Sequence, residues 1–256
     1  MSVAFDAAAV ASAFAGGSGR SLNITAGAGV NLVLAHVAWL RFPSGTATAS
    51  ATCGGVSMTP IRAATVIATP DGNGYVQTFY LVSPGTGVLA IDATLSASSM
   101  YGYFGATTWT GVDTSNPIAA SAEATGTSSA PSVSVGSTAG NYCIDTVMSD
   151  GATPTATFTQ NWNQNDSGIR GASQRTAATG SAVNMAWSGS MPKWAMQAYE
   201  IKAAGGGGGN PWYYRAQETL VSMRRRIFLP HLGIITRVPS SGLIVPANDP
   251  VIARVA

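Results

Sequence analysis

The side chains able to do acid, base or nucleophilic chemistry are few. The chain has two histidines, His36 and His231. Nucleophilic hydrolysis needs a base beside the nucleophile, and histidine fills that role most often. His36 lies inside the apolar run of residues 30–40, so it is expected to be a hydrogen-bonded core histidine. His231 follows Pro230 and is expected at an interface or in solvent. Asp113, in the loop Gly111-Val112-Asp113-Thr114-Ser115, reads as a turn residue whose carboxylate bonds nearby backbone N–H groups.

Motifs that carry metal or nucleotide chemistry are missing: HExxH, paired CxxC, a Walker loop and GxGxxG after a strand do not occur. Two carboxylates brought together from distant positions could cleave a glycosidic bond, but the nine acids before Gly205 fall mostly in turns. Asp71, Asn73, Asn165 and Asp166 could offer oxygen ligands to calcium without the spacing of a calcium loop. No metal and no cofactor are expected. Cys53 and Cys143 are too few for a disulfide scaffold. They read as buried thiols, with a bridge between them as the alternative. The expectation is a chain that is not an enzyme and acts through its surfaces.

One segment has the composition of a sugar site. In Gln160-Asn161-Trp162-Asn163-Gln164-Asn165-Asp166 an aromatic ring stands among amides, so Trp162, Asn163 and Asn165 are candidate contacts to a host glycan. The alternative is a polar loop whose Trp162 packs onto the edge of the fold.

The elements that would position these residues are short and β-prone. The chain is 46% hydrophobic and 9% charged, whereas an average soluble domain is about 25% charged. It therefore has apolar material for one substantial core under a weakly charged surface. Residues 30–40 are apolar on both alternating sets, as expected of a central strand covered on both faces. Asp71-Gly72-Asn73-Gly74 reads as a hairpin turn between residues 64–67 and 75–82. About ten such strands, and no 3.6-residue periodicity before Gly205, predict an all-β chain: a two-sheet antiparallel β-sandwich of jelly-roll type over residues 1–204.

Several segments resemble a jelly-roll-like β-sandwich domain of bacteriophage virion structural proteins, also seen in bacterial surface proteins. They are Asn31-Leu32-Val33-Leu34-Ala35-His36-Val37, Cys53-Gly54-Gly55-Val56, Thr78-Phe79-Tyr80-Leu81-Val82-Ser83-Pro84-Gly85, Trp109-Thr110-Gly111-Val112-Asp113 and Ala186-Trp187. The resemblance covers residues 1–203. It implies a non-enzymatic virion component, such as a capsid decoration, head-to-tail or fibre-attachment protein, assembled in the host cytoplasm. A glycan-binding adhesin module is the alternative.

The rest of the chain has a different character. Residues 205–209 are five consecutive glycines, a flexible linker. Residues 210–256 read as a C-terminal arm for subunit docking, a short helix plus extended strands. Asn210-Pro211 is a helix start, after which Trp212, Ala216, Leu220, Met223 and Ile227 fall on one face. Tyr213 and Phe228 flank this stripe, and Arg224, Arg225 and Arg226 lie near its end. Beyond Pro230, the β-prone runs are split by Pro239, Pro246 and Pro250, which suits strands added to a sheet edge. Up to Ala204 seven basic residues face nine acids, a net of −2, while six arginines face two acids after it, a net of +4. This asymmetry favours docking on copies of the chain or on other virion proteins, with nucleic acid not the primary partner. The start of the chain lacks the pattern of a secretory signal, and residues 30–40 are too short for a membrane span.

Overall fold

The computed structural model describes residues 2–11, 13–15, 18–96, 100–166 and 169–205. The arm of residues 210–256, and with it the expected helix and docking strands, lies outside the described residues.

The described part is all-β and antiparallel, with no helix among the described residues. Its first eleven strands are β1 (Ala4–Val10), β2 (Phe14–Ala15), β3 (Gly19–Ala26), β4 (Val30–Arg41), β5 (Ala49–Cys53), β6 (Val56–Ser57), β7 (Thr59–Pro60), β8 (Thr65–Thr69), β9 (Gly72–Val82), β10 (Gly87–Leu95) and β11 (Met100–Thr110). The remaining eight are β12 (Ile118–Gly126), β13 (Ser132–Val135), β14 (Tyr142–Asp150), β15 (Thr155–Ala156), β16 (Thr159–Asp166), β17 (Ile169–Ala177), β18 (Val183–Ser188) and β19 (Lys193–Ile201).

These strands form four sheets, where the sequence predicts two. In the first half, a large sheet runs β1-β11-β4-β9, with β8 paired to β9, and a smaller one runs β3-β10-β5-β6. In the second half, the large sheet runs β12-β19-β14-β17-β16 and the smaller one β13-β18-β15. The two orders are the same when β1, β3, β4, β5, β8, β9, β10 and β11 are matched in turn to β12, β13, β14, β15, β16, β17, β18 and β19. The chain has therefore built one topology twice. Alternation along a strand reveals that both faces are covered but not by what, so it does not distinguish two sheets from four.

The large sheets pack face to face. β1 lies over β16, β11 over β17, β4 over β14, β9 over β19 and β8 over β12. One order is thus laid over the reverse of the other, the arrangement that a two-fold axis along β4 and β14 produces. The cores follow this layering. Val33, Val37 and Trp39 pack with Ile24, Ile91 and Phe104 between the sheets of the first half. Val135, Val147, Met185, Trp187 and Met196 fill the second half. Between the halves lie Leu32, Leu34, Trp109, Ile144 and Tyr199, then Ala38, Leu40, Tyr103, Met148 and Trp162. β4 is enclosed from Leu32 to Trp39 as predicted, its odd positions facing β10 and its even positions facing β14.

The hairpin at Asp71 is tighter than expected. Thr69 pairs with Gly72 across a two-residue turn, so Gly72, Asn73 and Gly74 belong to the strand. The glycines serve close approach: a Cβ on Gly72 would lie 2.0 Å from the Arg41 carbonyl oxygen, and one on Gly74 2.0 Å from Met148 Cε. Gly54, Gly55 and Gly85 do hold positive φ of 56°, 80° and 89° in turns, as their neighbours suggested.

Candidate functional site

Several polar side chains are buried inside the fold. At the centre of the inter-half interface the His36 Nδ1 lies 2.8 Å from Thr146 Oγ1 on β14 and 3.3 Å from Thr78 Oγ1 on β9. Its Nε2 lies 3.0 Å from Thr107 Oγ1 on β11, which also accepts a 2.9 Å bond from Trp109 Nε1. The Tyr199 hydroxyl donates to Thr78 Oγ1. Every one of these side chains is fully buried. The strands supply them because even positions of β4 and β14 face each other, and hydroxyls there satisfy one another across the gap. Burial holds the imidazole neutral by lowering its pKa from 6.5 to about 3. The same desolvation raises the Tyr199 phenol well above its ordinary range.

A second polar group continues towards the edge. Gln197 Nε2 donates 2.8 Å to the Ala63 carbonyl and 2.9 Å to Thr65 Oγ1, and the Thr65 hydroxyl donates to Glu123. Glu123 meets Arg62 at 3.0 Å with both side chains partly in solvent, so this pair contributes little beyond orientation.

Asp145 points the other way, into the core of the second half. It accepts bonds from the Gln174 backbone N–H at 3.3 Å, from Gln174 Nε2 at 2.9 Å and from Trp187 Nε1 at 3.1 Å. Burial nevertheless pushes its carboxyl up to about 8, because three donors only partly replace lost water. On the same face Glu200 accepts 2.7 Å from Asn141 Nδ2 and also receives the Thr138 N–H. Sequence reasoning did not single out Asp145. Its signal was a carboxylate within the apolar strand Cys143-Ile144-Asp145-Thr146-Val147-Met148.

The residues flagged for chemistry are accounted for differently. Asp113 accepts from the Ser115 hydroxyl at 2.6 Å, from the Ser115 N–H at 3.0 Å and from the Asn116 N–H at 3.4 Å, the turn role expected of it. Those bonds, with the Lys202 ammonium at 3.0 Å, hold its carboxyl well below the usual range. Cys53 and Cys143 are buried free thiols, and burial pushes Cys143 up to about 11. Trp162 lies on β16, 4% exposed, with its ring against Gly105. A ring so enclosed presents no face to a sugar. Asn163 donates 2.6 Å to the Pro154 carbonyl, and Asn165 donates to Thr153, so both amides are engaged within the chain. His231 and the arm residues Trp212, Tyr213, Leu220, Met223, Arg224, Arg225, Arg226, Ile227 and Phe228 lie outside the described residues.

Among the described residues no group of three or more His, Cys, Asp or Glu side chains could hold a metal ion, and no helix is long and apolar enough to cross a membrane. A shallow, open groove on the smaller sheet of the first half is lined by Gly19, Arg20, Ser21, Asp92, Ala93 and Thr94. No protein-family model, curated protein or solved structure matches the chain.

Proposed function

We propose that this chain is a non-enzymatic structural component of a bacteriophage virion, assembled in the host cytoplasm and joined to neighbouring capsid or tail subunits by its C-terminal arm. The observation that carries the reading is the strand order. The first half sets large-sheet strands against a smaller sheet in the interleaved order β1-β11-β4-β9 and β3-β10-β5-β6, and the second half repeats it as β12-β19-β14-β17 against the three strands β13-β18-β15. We take this as a jelly roll, built twice, and it agrees with the family resemblance of the strand and turn segments. The disposition of polar groups supports it too. His36, Asp145 and Tyr199, the side chains best suited to acid and base work, are spent on internal hydrogen bonds with no exposure. The surface left over is weakly charged, as suits close packing among subunits.

The test is direct. Particles purified from infected cells by two independent density steps are digested and quantified against a virion protein of known copy number. The proposal predicts this chain at a fixed whole-number ratio to that protein. Its loss at the second density step would overturn the proposal.

A further inference from the structure

Most outer strands of the described sheets are either irregular or short. β1, β12 and β16 break register between Phe5 and Ala7, Ile118 and Ala120, and Gln160 and Trp162. β8, β13, β15, β6 and β7 have five, four, two, two and two residues. Bulges and brevity are the usual protection of a sheet edge against an incoming strand. β3 lacks both. Its eight residues pair with β10 without a register break from Gly19 to Ala26, and its other edge pairs with no strand among the described residues. Arg20 is its sole charged residue, while Ser21, Asn23 and Thr25 are exposed and Leu22, Ile24 and Ala26 are buried. Its counterpart β13 is half as long, so each chain offers this edge once.

We infer that β3 is the acceptor edge for the arm of a second copy, and that the donor is the run Gly233-Ile234-Ile235-Thr236-Arg237-Val238. This deepens, and depends on, the reading of the arm as the attachment device. Those six residues form a proline-free β-prone run, the one in the arm that lies nearest the linker. Ile234, Thr236 and Val238 would continue the apolar face of Leu22 and Ile24, and Ile235 and Arg237 would lie on the face of Asn23 and Asp92. Asp92 is two strands away from the added run, within reach of an arginine. Reach allows a neighbour. With the expected helix running from Pro211 to about Phe228, the 28 positions from Gly205 to Gly233 span up to ~60 Å, more than the ~43 Å diameter of a 200-residue domain. The net charges, −2 on the body and +4 beyond it, attract. One edge and one donor per chain give a head-to-tail series.

Two full-length variants test this. Chains carrying Asn23→Cys are mixed with chains carrying Ile235→Cys and treated with a short bis-maleimide; Cys53 and Cys143 are buried and stay unreacted. The expected product joins position 23 of one chain to position 235 of the other, and adding Thr236→Pro to the second chain reduces it at least tenfold. Absence of this product, its persistence with Thr236→Pro, or its formation within single chains carrying both cysteines would each overturn the inference. Particle occupancy separates the two claims. If the arm is still required for incorporation while no such product forms, β3 is the wrong edge; if the arm is dispensable, the attachment reading itself fails.

Discussion

His36 Nδ1 and Thr146 Oγ1 stand 2.8 Å apart at the middle of the interface, one on β4 and the other on β14. Because this bond joins the two halves in a fully enclosed place, it is sensitive to the loss of either partner. Thr146→Val keeps the shape and removes the hydroxyl, leaving the imidazole nitrogen with Thr78 at 3.3 Å. The expected cost is about 1–3 kcal/mol, read as a lower urea midpoint at unchanged slope. An unchanged midpoint would mean that the bond contributes nothing.

The pH dependence of stability follows from two buried groups of opposite sign. His36 titrates near 3 in the fold and near 6.5 unfolded, so the unfolded chain binds the extra proton between these values and stability is lost as pH falls from 6.5. Asp145 titrates near 8 in the fold and near 3.8 unfolded, so the fold binds the extra proton and stability is lost as pH rises towards 8. Each contributes about 1.4 kcal/mol per pH unit. Between 3.8 and 6.5 they cancel, and between 6.5 and 8 the aspartate alone acts. From these two groups, stability should be flat between about 3.8 and 6.5 and drop by about 2 kcal/mol from there to about pH 8. Asp145→Asn should convert this to a rise up to about 6.5 followed by a plateau. Urea midpoints across the range measure both curves, and identical slopes in the two proteins would refute the assignment.

Gly105 and Trp162 are matched. A Cβ on Gly105 would lie 2.4 Å from the indole Cε2 and Nε1, so Gly105→Ala should cost about 1–3 kcal/mol through overpacking. Trp162→Ala opens a cavity between the halves and should cost about 3–5 kcal/mol. The double variant should lose less than the sum of the two, since the alanine methyl then has room. Calorimetric melting of the four proteins measures the coupling, and strict additivity would show that the ring does not set the glycine.

The Trp162 result shows where the sequence was legible and where it was not. A tryptophan among five amides and an aspartate has the composition of an exposed sugar platform, yet alternation along β16 turns its ring inward against Gly105 while the amides bond loops and strand neighbours. Composition does not reveal direction when a strand is too polar to show its period. β4 was legible because its residues are apolar on both alternating sets, which only a doubly covered strand needs. The duplication was not legible, since matched strands such as β4 and β14 share an inward-facing pattern and almost no residues: His36 in one meets Thr146 in the other. Asp145 escaped notice for a related reason. A lone carboxylate in an apolar strand is visible as an anomaly, but its partners Gln174 and Trp187 come from β17 and β18, far along the chain.

The claim that matters most is that the body is held in a particle by the residues beyond Gly205. The most direct measurement is occupancy of purified particles by the chain lacking residues 210–256, compared with the full chain at equal expression. The account predicts a soluble, β-rich body that is nearly absent from particles, and a similar deficit for the full chain carrying Trp212→Ala with Ile227→Asp. Particles that incorporate the shortened chain at the normal level would contradict it, and would place attachment on the paired sandwiches themselves.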